Sequence, residues 1–531
     1  MFESGVPTSR RPPYASPATD PRWSLAVAIL GSSMAFIDGT VVNVALPVMQ
    51  RDLGIDADLV QWIVEAYSLL LASLVLVGGA LGDRLGRRRV FVAGAVLFAI
   101  ASAGCGASPN AIALIVARAI QGVGAALLVP GSLALISSAY ASDDARGAAI
   151  GTWSAFSAAT TAIGPVAGGW VVTHASWRWL FFFNVPIALL VVGLSLRCVD
   201  ESRDETAAPH LDVAGALLAA AGLGAIVFAL IDSEQPGRSA SVRTPALLLA
   251  GAITLVAFGV VEARRRAPMV PLSLFRSPTF AGTNLLTLLL YAALGAGFFF
   301  LPFDLIQVQR YSPAAAGAAL LPLVFLLSVL SRSTGALAGR LGARTLLIIG
   351  PLAAGAGFVL LAIPSTGGPY YRTFLPGVAV LGLGLGITVA PLTAAVMGAV
   401  EPHHAGVASG INNAVARAAG LLAIAALGAL MSARFNRALD RAIARHAWPA
   451  DVALAVEAQR GKLGGAEFPE TIEPGLREAL RRAFDEAFVT GFRTLMLVCA
   501  ALSALAALAA FVLVGGSPRR QEPGPRRPSP L

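Results

Sequence analysis

Fourteen stretches of this chain are apolar for about 20 residues each, the length at which an α-helix crosses roughly 30 Å of hydrocarbon. In lipid every backbone N–H and C=O must find its partner within the segment, so runs of this length fold as helices. They lie near 25–47, 60–80, 90–107, 111–136, 147–172, 179–197, 211–231, 245–262, 280–304, 314–336, 345–363, 372–399, 405–431 and 490–514. The stretches 179–197 and 245–262 carry the weakest signal, and the loss of either would invert everything downstream. With 56% hydrophobic and 13% charged residues over 531 positions, too little polar surface remains for a soluble helical protein. The expected fold class is all-α and integral to the membrane.

The arginines orient the spans. They cluster at Arg84, Arg87, Arg88, Arg89, Arg264, Arg265, Arg266, Arg519 and Arg520. Placing those clusters inside puts both termini in the cytoplasm, with few arginines in the short outward loops. Of 39 basic residues only Lys462 is a lysine, a bias that points to a GC-rich bacterial genome and so to a bacterial inner membrane. The net charge of +9 sits beside the spans and not on one soluble face, which argues against nucleic-acid binding. Residues 1–22 read as a disordered cytoplasmic tail without a cleavable leader, and 515–531 as a second tail. Cys105, Cys198 and Cys499 have no metal spacing and imply no disulfide.

A basic turn, Gly79-Ala-Leu-Gly-Asp-Arg-Leu-Gly-Arg-Arg-Arg89, recurs 256 residues later as Gly335-Ala-Leu-Ala-Gly-Arg-Leu-Gly-Ala-Arg344. A repeat at matched positions among apolar spans signals two related halves. Eight spans separate the copies where two plain six-helix halves would leave six. The expected order is a six-helix bundle over 23–200, two linking helices over 201–265, and a second six-helix bundle over 266–514. The longest polar segment, 432–489, reads as an extracellular loop within the second bundle, either a cap or partner site or a tolerated excursion. Asp83 of the first copy is Gly339 in the second, and Arg87 is Ala343, so one side of the repeat has specialised.

The chain resembles the major facilitator superfamily, and within it the 14-helix drug:proton antiporter branch. The resemblance rests on motifs in order: Asp38 to Pro47, the basic turn, Arg118-Ala-Ile-Gln121-Gly122, Gly164-Pro165-Val-Ala-Gly168-Gly169, and Trp177 to Pro186. Gln307 to Pro322, Gly382 to Pro391 and Gly406 to Asn413 also resemble that branch. It implies proton coupling through Asp38 and Arg118. It also implies gating through the basic turn (Gly79, Asp83, Arg84, Gly86, Arg87) and through Gly164, Pro165, Gly168 and Gly169, with Asp83 locking a helix end across the cytoplasmic interface. The chain departs from the branch at Glu65, at Asp304, at Arg310, and at Thr160 in place of a glycine.

The residues have their own logic. A carboxylate in hydrocarbon costs several kcal/mol unless a proton or a cation meets it, so Asp38 reads as a proton carrier, or as a structural carboxyl packed with Thr40 and Asn43. Arg118 stays charged and needs a carboxylate, carbonyls or water; Asp38, Glu65, a substrate anion and Gln121 are the candidates. Glu65 reads as a second proton site or an attractor of cationic substrates, or as a residue in water at the outer mouth. Asp304 and Arg310 read as a wet outer rim, and Arg332 snorkels to the cytoplasm. Span 13 carries Arg417 but no carboxylate, against a divalent-cation substrate. Gly164-Pro165 weakens one helical turn and Gly168-Gly169 permits close backbone approach, here toward span 10. Trp62, Tyr67, Asn43, Gln121, Trp153, Phe156, Tyr291 and Phe298 are candidates for a substrate cavity.

The chain carries no phosphate-binding G-x-x-x-x-G-K-S/T loop and no nucleophile constellation, so neither an ATP-driven pump nor an enzyme is expected. No cofactor or metal is expected; the proton motive force supplies the energy. The function expected is export of amphipathic drugs or antibiotics by a monomer that binds its small-molecule substrate and protons within the lipid bilayer. Alternatives are a proton-coupled metabolite or nutrient transporter on the same fold and a receptor using 432–489.

Overall fold

The computed structural model describes residues 20–515 except 141, 204–211, 234–242, 266–267, 269, 402–404 and 447–449. Both terminal tails, apart from a few residues at their inner ends, and Arg266 therefore lie outside the described residues, as do the side chains of Arg332, Gly339 and Arg340 in and before the second basic turn.

The first six helices are α1 (Pro21–Leu53), α2 (Ala57–Leu85), α3 (Arg87–Gly106), α4 (Ala111–Ala139), α5 (Asp143–His174) and α6 (Trp179–Cys198). Two linking helices follow, α7 (Val213–Asp232) and α8 (Arg243–Arg264). The second set is α9 (Pro278–Val308), α10 (Pro313–Ala318, continued as Leu321–Leu341), α11 (Ala343–Leu361), α12 (Leu375–Gly398), α13 (Ala405–His446) and α14 (Pro474–Leu513). Thirteen described helices are long and apolar enough to span a membrane. Helix α5, 32 residues long, brings the number to fourteen. The two weak stretches are helices α6 and α8.

Local chemistry sets the ends. Asp20, Asn110 and Ser142 each accept a hydrogen bond from a backbone N–H in the first turn of α1, α4 and α5, filling donors that a helix start leaves open. Gly54 ends α1 in the left-handed region at φ 64°. Gly86 turns α2 into α3 at φ 113°, a conformation few side chains tolerate.

Within the first half α2 and α3 pack on α4, and α1 packs on α5. In the second, α9 packs on α13 and α14, and α12 on α10 and α11. The linking pair pack on each other, and α7 seats against α2 and α13, where one half meets the other. The halves also meet at α5 and α10 and along α1 and α9.

The segment 432–489 is largely helical among the described residues. Helix α13 continues to His446, a short helix spans Ala450–Gln459, and α14 begins at Pro474. The reason is helical spacing of large apolar residues: Phe435 and Leu439 on one helix, Leu480, Phe484 and Phe488 on the other, all buried. Phe435 and Phe468 both meet the Phe484 ring edge-on, with centroids 5.6 and 5.2 Å away. Arg434, Arg437, Arg441 and Arg445 occupy the exposed face of the same extension. This helical cap projects beyond the ends of α1 and α9, and its Lys462–Gly465 turn reaches back to both.

Candidate functional site

Asp38 and Arg118 are both 1% exposed, and they form an ion pair at 2.5 Å between α1 and α4. The pair has a complete polar shell. Gln121 Nε2 donates to Asp38 Oδ1 at 2.9 Å, and Asn184 Nδ2 donates to the same oxygen at 3.3 Å. Arg118 donates to Gln121 Oε1 at 2.7 Å and to the Ile63 carbonyl at 3.0 Å. Its guanidinium carbon lies 4.2 Å from the centre of the Tyr67 ring, a cation–π contact away from bulk water. Ser102 completes the shell: it accepts from Asn184 at 2.9 Å and donates to the Phe181 carbonyl at 2.8 Å. A buried pair survives only when its remaining lone pairs and protons are matched this fully.

Thr40 and Asn43, considered above as packing partners of Asp38, are not its partners. The Thr40 hydroxyl donates back to the carbonyls of Phe36 and Ile37 on its own helix, and Asp38's described partners are Arg118, Gln121 and Asn184. Ser102 and Asn184 were not singled out as site residues from sequence. Asn184 was visible within the Trp177 to Pro186 motif, but nothing in its spacing tied it to α1. Ser102 is one small residue in a run of small residues.

Glu65 is fully buried, and neither carboxylate oxygen has a hydrogen-bond partner among the described residues. That overturns its placement in water at the outer mouth. It sits three residues from Trp62 and four from Leu69, which pack against α7 and α13, so it belongs to the face of α2 at the junction of the two halves. Arg118 is committed to Asp38, not to Glu65. Asp304 is likewise buried, at 1% exposure, within a π-helical turn after Pro302, and Gln309 donates to it at 3.4 Å. The wet rim expected there holds for Arg310 alone, whose side chain is 43% exposed and paired with Asp485 at 3.0 Å.

Gly169 of α5 and Gly317 of α10 mark a close backbone approach between the halves. A Cβ on Gly169 would lie 2.2 Å from the Pro313 carbonyl oxygen of α10, and one on Gly317 would lie 2.1 Å from the Pro165 carbonyl oxygen. Thr173 Oγ1 accepts from the Ala314 N–H at 3.1 Å beside them. Gly164 and Gly168 face the other way, onto Thr40 and Val41 of α1. Thr160, where the resemblance has glycine, bonds back to Phe156 and Ser157 within α5. Gln307 donates to Gln50 at 2.8 Å, joining α9 to α1 at the same end. The cap end of the two halves is thus closed.

At the opposite end the basic turn is held within its own half. Asp83 pairs with Arg87 at 2.9 Å, one turn along. Gly79 and Gly82 lie in α2 before it, Arg84 precedes the φ 113° turn at Gly86, and Glu201 fills the space that a side chain at Gly86 would occupy. The Glu201 carboxylate accepts from the N–H groups of Arg88 and Arg89 at 3.0 and 3.2 Å, and the Ser202 carbonyl accepts from Arg87 N–H at 2.8 Å. A carboxylate on a helix N-terminus meets both unpaired donors and the positive end of the dipole. Glu201 went unnoticed in the sequence because it lies 113 residues from its partner Arg88. Glu201→Gln is expected to lower stability by about 1 kcal/mol, read as a fall in the midpoint of thermal unfolding in detergent. An unchanged midpoint would remove this role.

The cavity candidates do not gather on one wall. Tyr67 and Gln121 belong to the Asp38 shell. Trp62 packs on Phe228 of α7 with ring centres 6.1 Å apart. Trp153 donates to Ser32 at 2.8 Å and meets Phe36 edge-on, between α5 and α1. Phe156 is exposed, Tyr291 and Phe298 pack against the second-half core, and Asn43 is half-buried.

Helices on this plan, closed at one end and built around a charged pair buried between spans, define a multi-pass membrane protein of the two-bundle transporter class. The chain belongs to the Major Facilitator Superfamily, whose sequence profile matches residues 28–424; members of that family are transporters rather than enzymes. It is 38% identical over 414 residues to the puromycin resistance protein pur8 of Streptomyces alboniger, covering 77% of this chain and 82% of that one. It is 33% identical over 492 residues to the multidrug resistance protein Stp of Mycobacterium tuberculosis, covering 90% and 89%. With the tetracenomycin C resistance and export protein of Streptomyces glaucescens it shares 33% identity over 513 residues, covering 95% and 92%. The fold is similar to that of a bacterial homologue of the human lysosomal transporter Spinster in an inward-facing, unoccupied conformation. The TM-score is 0.66 at 16% identity, over 93% of this chain and 98% of that one.

Proposed function

We propose that this protein exports amphipathic drugs or antibiotics across a bacterial cytoplasmic membrane in exchange for protons, by alternating access. The observation that carries the coupling is the Asp38–Arg118 pair, buried and fully hydrogen-bonded within the first bundle. The names of the relatives, which are resistance and export proteins, support the substrate class. In this reading both termini and the basic turns face the cytoplasm, and the closed cap end faces out. The protein works as a monomer without a cofactor.

The cycle follows from charge accounting. With Asp38 ionised, Arg118 is neutralised and α1 is tied to α4. When a proton reaches Asp38, one partner of the pair becomes neutral, and Arg118 keeps only Gln121, the Ile63 carbonyl and the Tyr67 ring. Breaking a buried pair in this way costs about 3–5 kcal/mol. One proton moving down roughly 150 mV supplies about 3.5 kcal/mol, a matching magnitude. Asp83 locks the cytoplasmic end in the opposite state, exchanging Arg87 for a helix end of the second half.

Glu65 is the second ionisable group of this reading. Its unpartnered carboxylate at the junction of α2, α7 and α13 attracts cationic substrates. Glu65→Gln is expected to reduce export of monocationic drugs about 10-fold, the scale of one lost charge-assisted contact, and to leave neutral drugs unaffected. Equal losses for both classes would reject the assignment. The whole proposal is tested by efflux of a substrate panel from everted membrane vesicles, with and without a proton-gradient uncoupler. Efflux that persists after uncoupling would overturn it.

A further inference from the structure

Where the cap meets the ends of α1 and α9 there is a crevice of about 130 Å³ that the transport cycle does not use. Its inner side is a chain of amides crossing three separate segments. Gln307 of α9 donates to Gln50 of α1, and Gln50 donates to the Lys462 carbonyl of the cap at 3.3 Å. Its walls are basic: Arg51, Arg310, Lys462 and Arg481 face it against a single acid, Glu467. Two more acids stand beside the cations. Asp485 accepts from Arg310 at 3.0 and 3.2 Å, and Asp56 packs against Gly461, next to Lys462.

The backbone here is unusual as well. Among the described residues, the two non-glycine positions with positive φ are Arg310 at 63° and Leu463 at 52°. Arg310 borders the crevice, and Leu463 lies between Lys462 and Gly464, which also border it. The turn before Arg310 is the π-helical stretch Asp304–Val308. Left-handed non-glycine residues are strained and concentrate at functional and ligand-holding sites, and π turns concentrate at functional positions. Four cations delivered by α1, the end of α9, the cap turn and α14 meet three acids, Glu467, Asp485 and Asp56, which leaves an excess of positive charge for one small anion to offset.

We propose that this crevice binds a small oxyanion of the phosphate or carboxylate class, which ties the cap to both halves while the cap end is closed. Guanidinium groups present forked donors that match the oxygens of such an ion. A volume of about 130 Å³ admits a phosphate-sized ion with a few waters, each of which takes about 30 Å³ in the liquid. Because the site is assembled from both halves, it exists intact only with that end closed. A ligand shifts an equilibrium by its difference in affinity for the two states, so the anion holds the cap end closed and slows turnover.

The test uses the full-length protein in detergent without any transported substrate, so its outcome is independent of the export reading. Inorganic phosphate is titrated at constant ionic strength against sodium chloride, by calorimetry and by thermal shift. Saturable binding is expected in the wild type, weakened at least about 10-fold by Arg51→Gln with Lys462→Gln, and retained by Arg51→Lys with Lys462→Arg. Arg481→Gln, a single change on an exposed side chain, serves as the second variant and is expected to weaken binding in the same direction. A lipid source is separated by reconstitution into phosphatidylcholine with or without phosphatidylglycerol. Protection by phosphatidylglycerol that phosphate does not displace identifies a lipid headgroup as the oxyanion; a phosphate effect in phosphatidylcholine alone identifies a free solute. Equal responses of the wild type and the glutamine variants, or no saturable response in either medium, would overturn the proposal.

Discussion

Asp38→Asn is expected to lower proton-driven drug efflux by about 100-fold or more, because the change removes a buried charge whose loss of pairing is worth about 3–5 kcal/mol. The substitution is nearly isosteric. Asn keeps an acceptor for Gln121 or Asn184 but leaves the guanidinium of Arg118 without its counter-ion. It also holds the site in a permanently neutral form, which imitates the protonated carboxyl and prevents the cycle from returning. Substrate binding without a gradient is expected to survive, since the polar shell remains. Efflux from everted vesicles under an imposed pH gradient reads the first effect, and equilibrium drug binding to the purified protein reads the second. Undiminished gradient-driven efflux would remove Asp38 from the coupling mechanism.

Gly169→Val is expected to reduce efflux at least about 10-fold through a steric mechanism, since the contact it breaks is between two backbones that cannot rotate away. The added Cβ would lie 2.2 Å from the Pro313 carbonyl oxygen and 3.0 Å from the Ala314 Cα, so α5 and α10 must part before the side chain fits. Closure at the cap end fails, and the population moves toward the state open on that side. Overall stability changes little because the strain is relieved by opening. A cysteine pair at Thr173 and Ala314, whose backbone and hydroxyl already touch, reports closure in a background without the native cysteines. Cross-linking is expected to fall in the valine variant in parallel with efflux. Normal cross-linking with normal efflux would refute the gate. The same geometry explains why Gly317 is matched to Pro165: each glycine leaves space for the other helix's carbonyl.

Much of the architecture was legible because the bilayer restricts the choices. Long apolar runs form helices, and a repeated turn with two surplus spans between its copies implies two bundles and a linking pair. Polarity averaged over a long window hides local helical order. The segment 432–489 carries enough arginine and glutamate to look like a loop, yet Phe435, Leu439, Leu480 and Phe484 recur at helical spacing and are buried. Asp304 failed for a related reason: a carboxyl near a span's end reads as solvated, but the π-helical turn rotates it inward.

The candidate site divides in the same way. Asp38 and Arg118 were identifiable singly, because a charge inside an apolar run demands an explanation wherever it occurs. Their pairing, 80 residues apart, and the enclosure by Ser102 and Asn184 could come only from the packing of α1, α3, α4 and α6. Glu65 stood out by its type in a hydrophobic span, but its isolation from Arg118 was decided by the face of α2 it occupies. The sequence by itself determined the helices, their number and the charges that must be neutralised, because those follow from the energetics of each segment in lipid. Only the tertiary structure decided which charges neutralise one another, which glycines face a backbone, and that a cap closes one end, because those depend on distances between segments far apart in the chain.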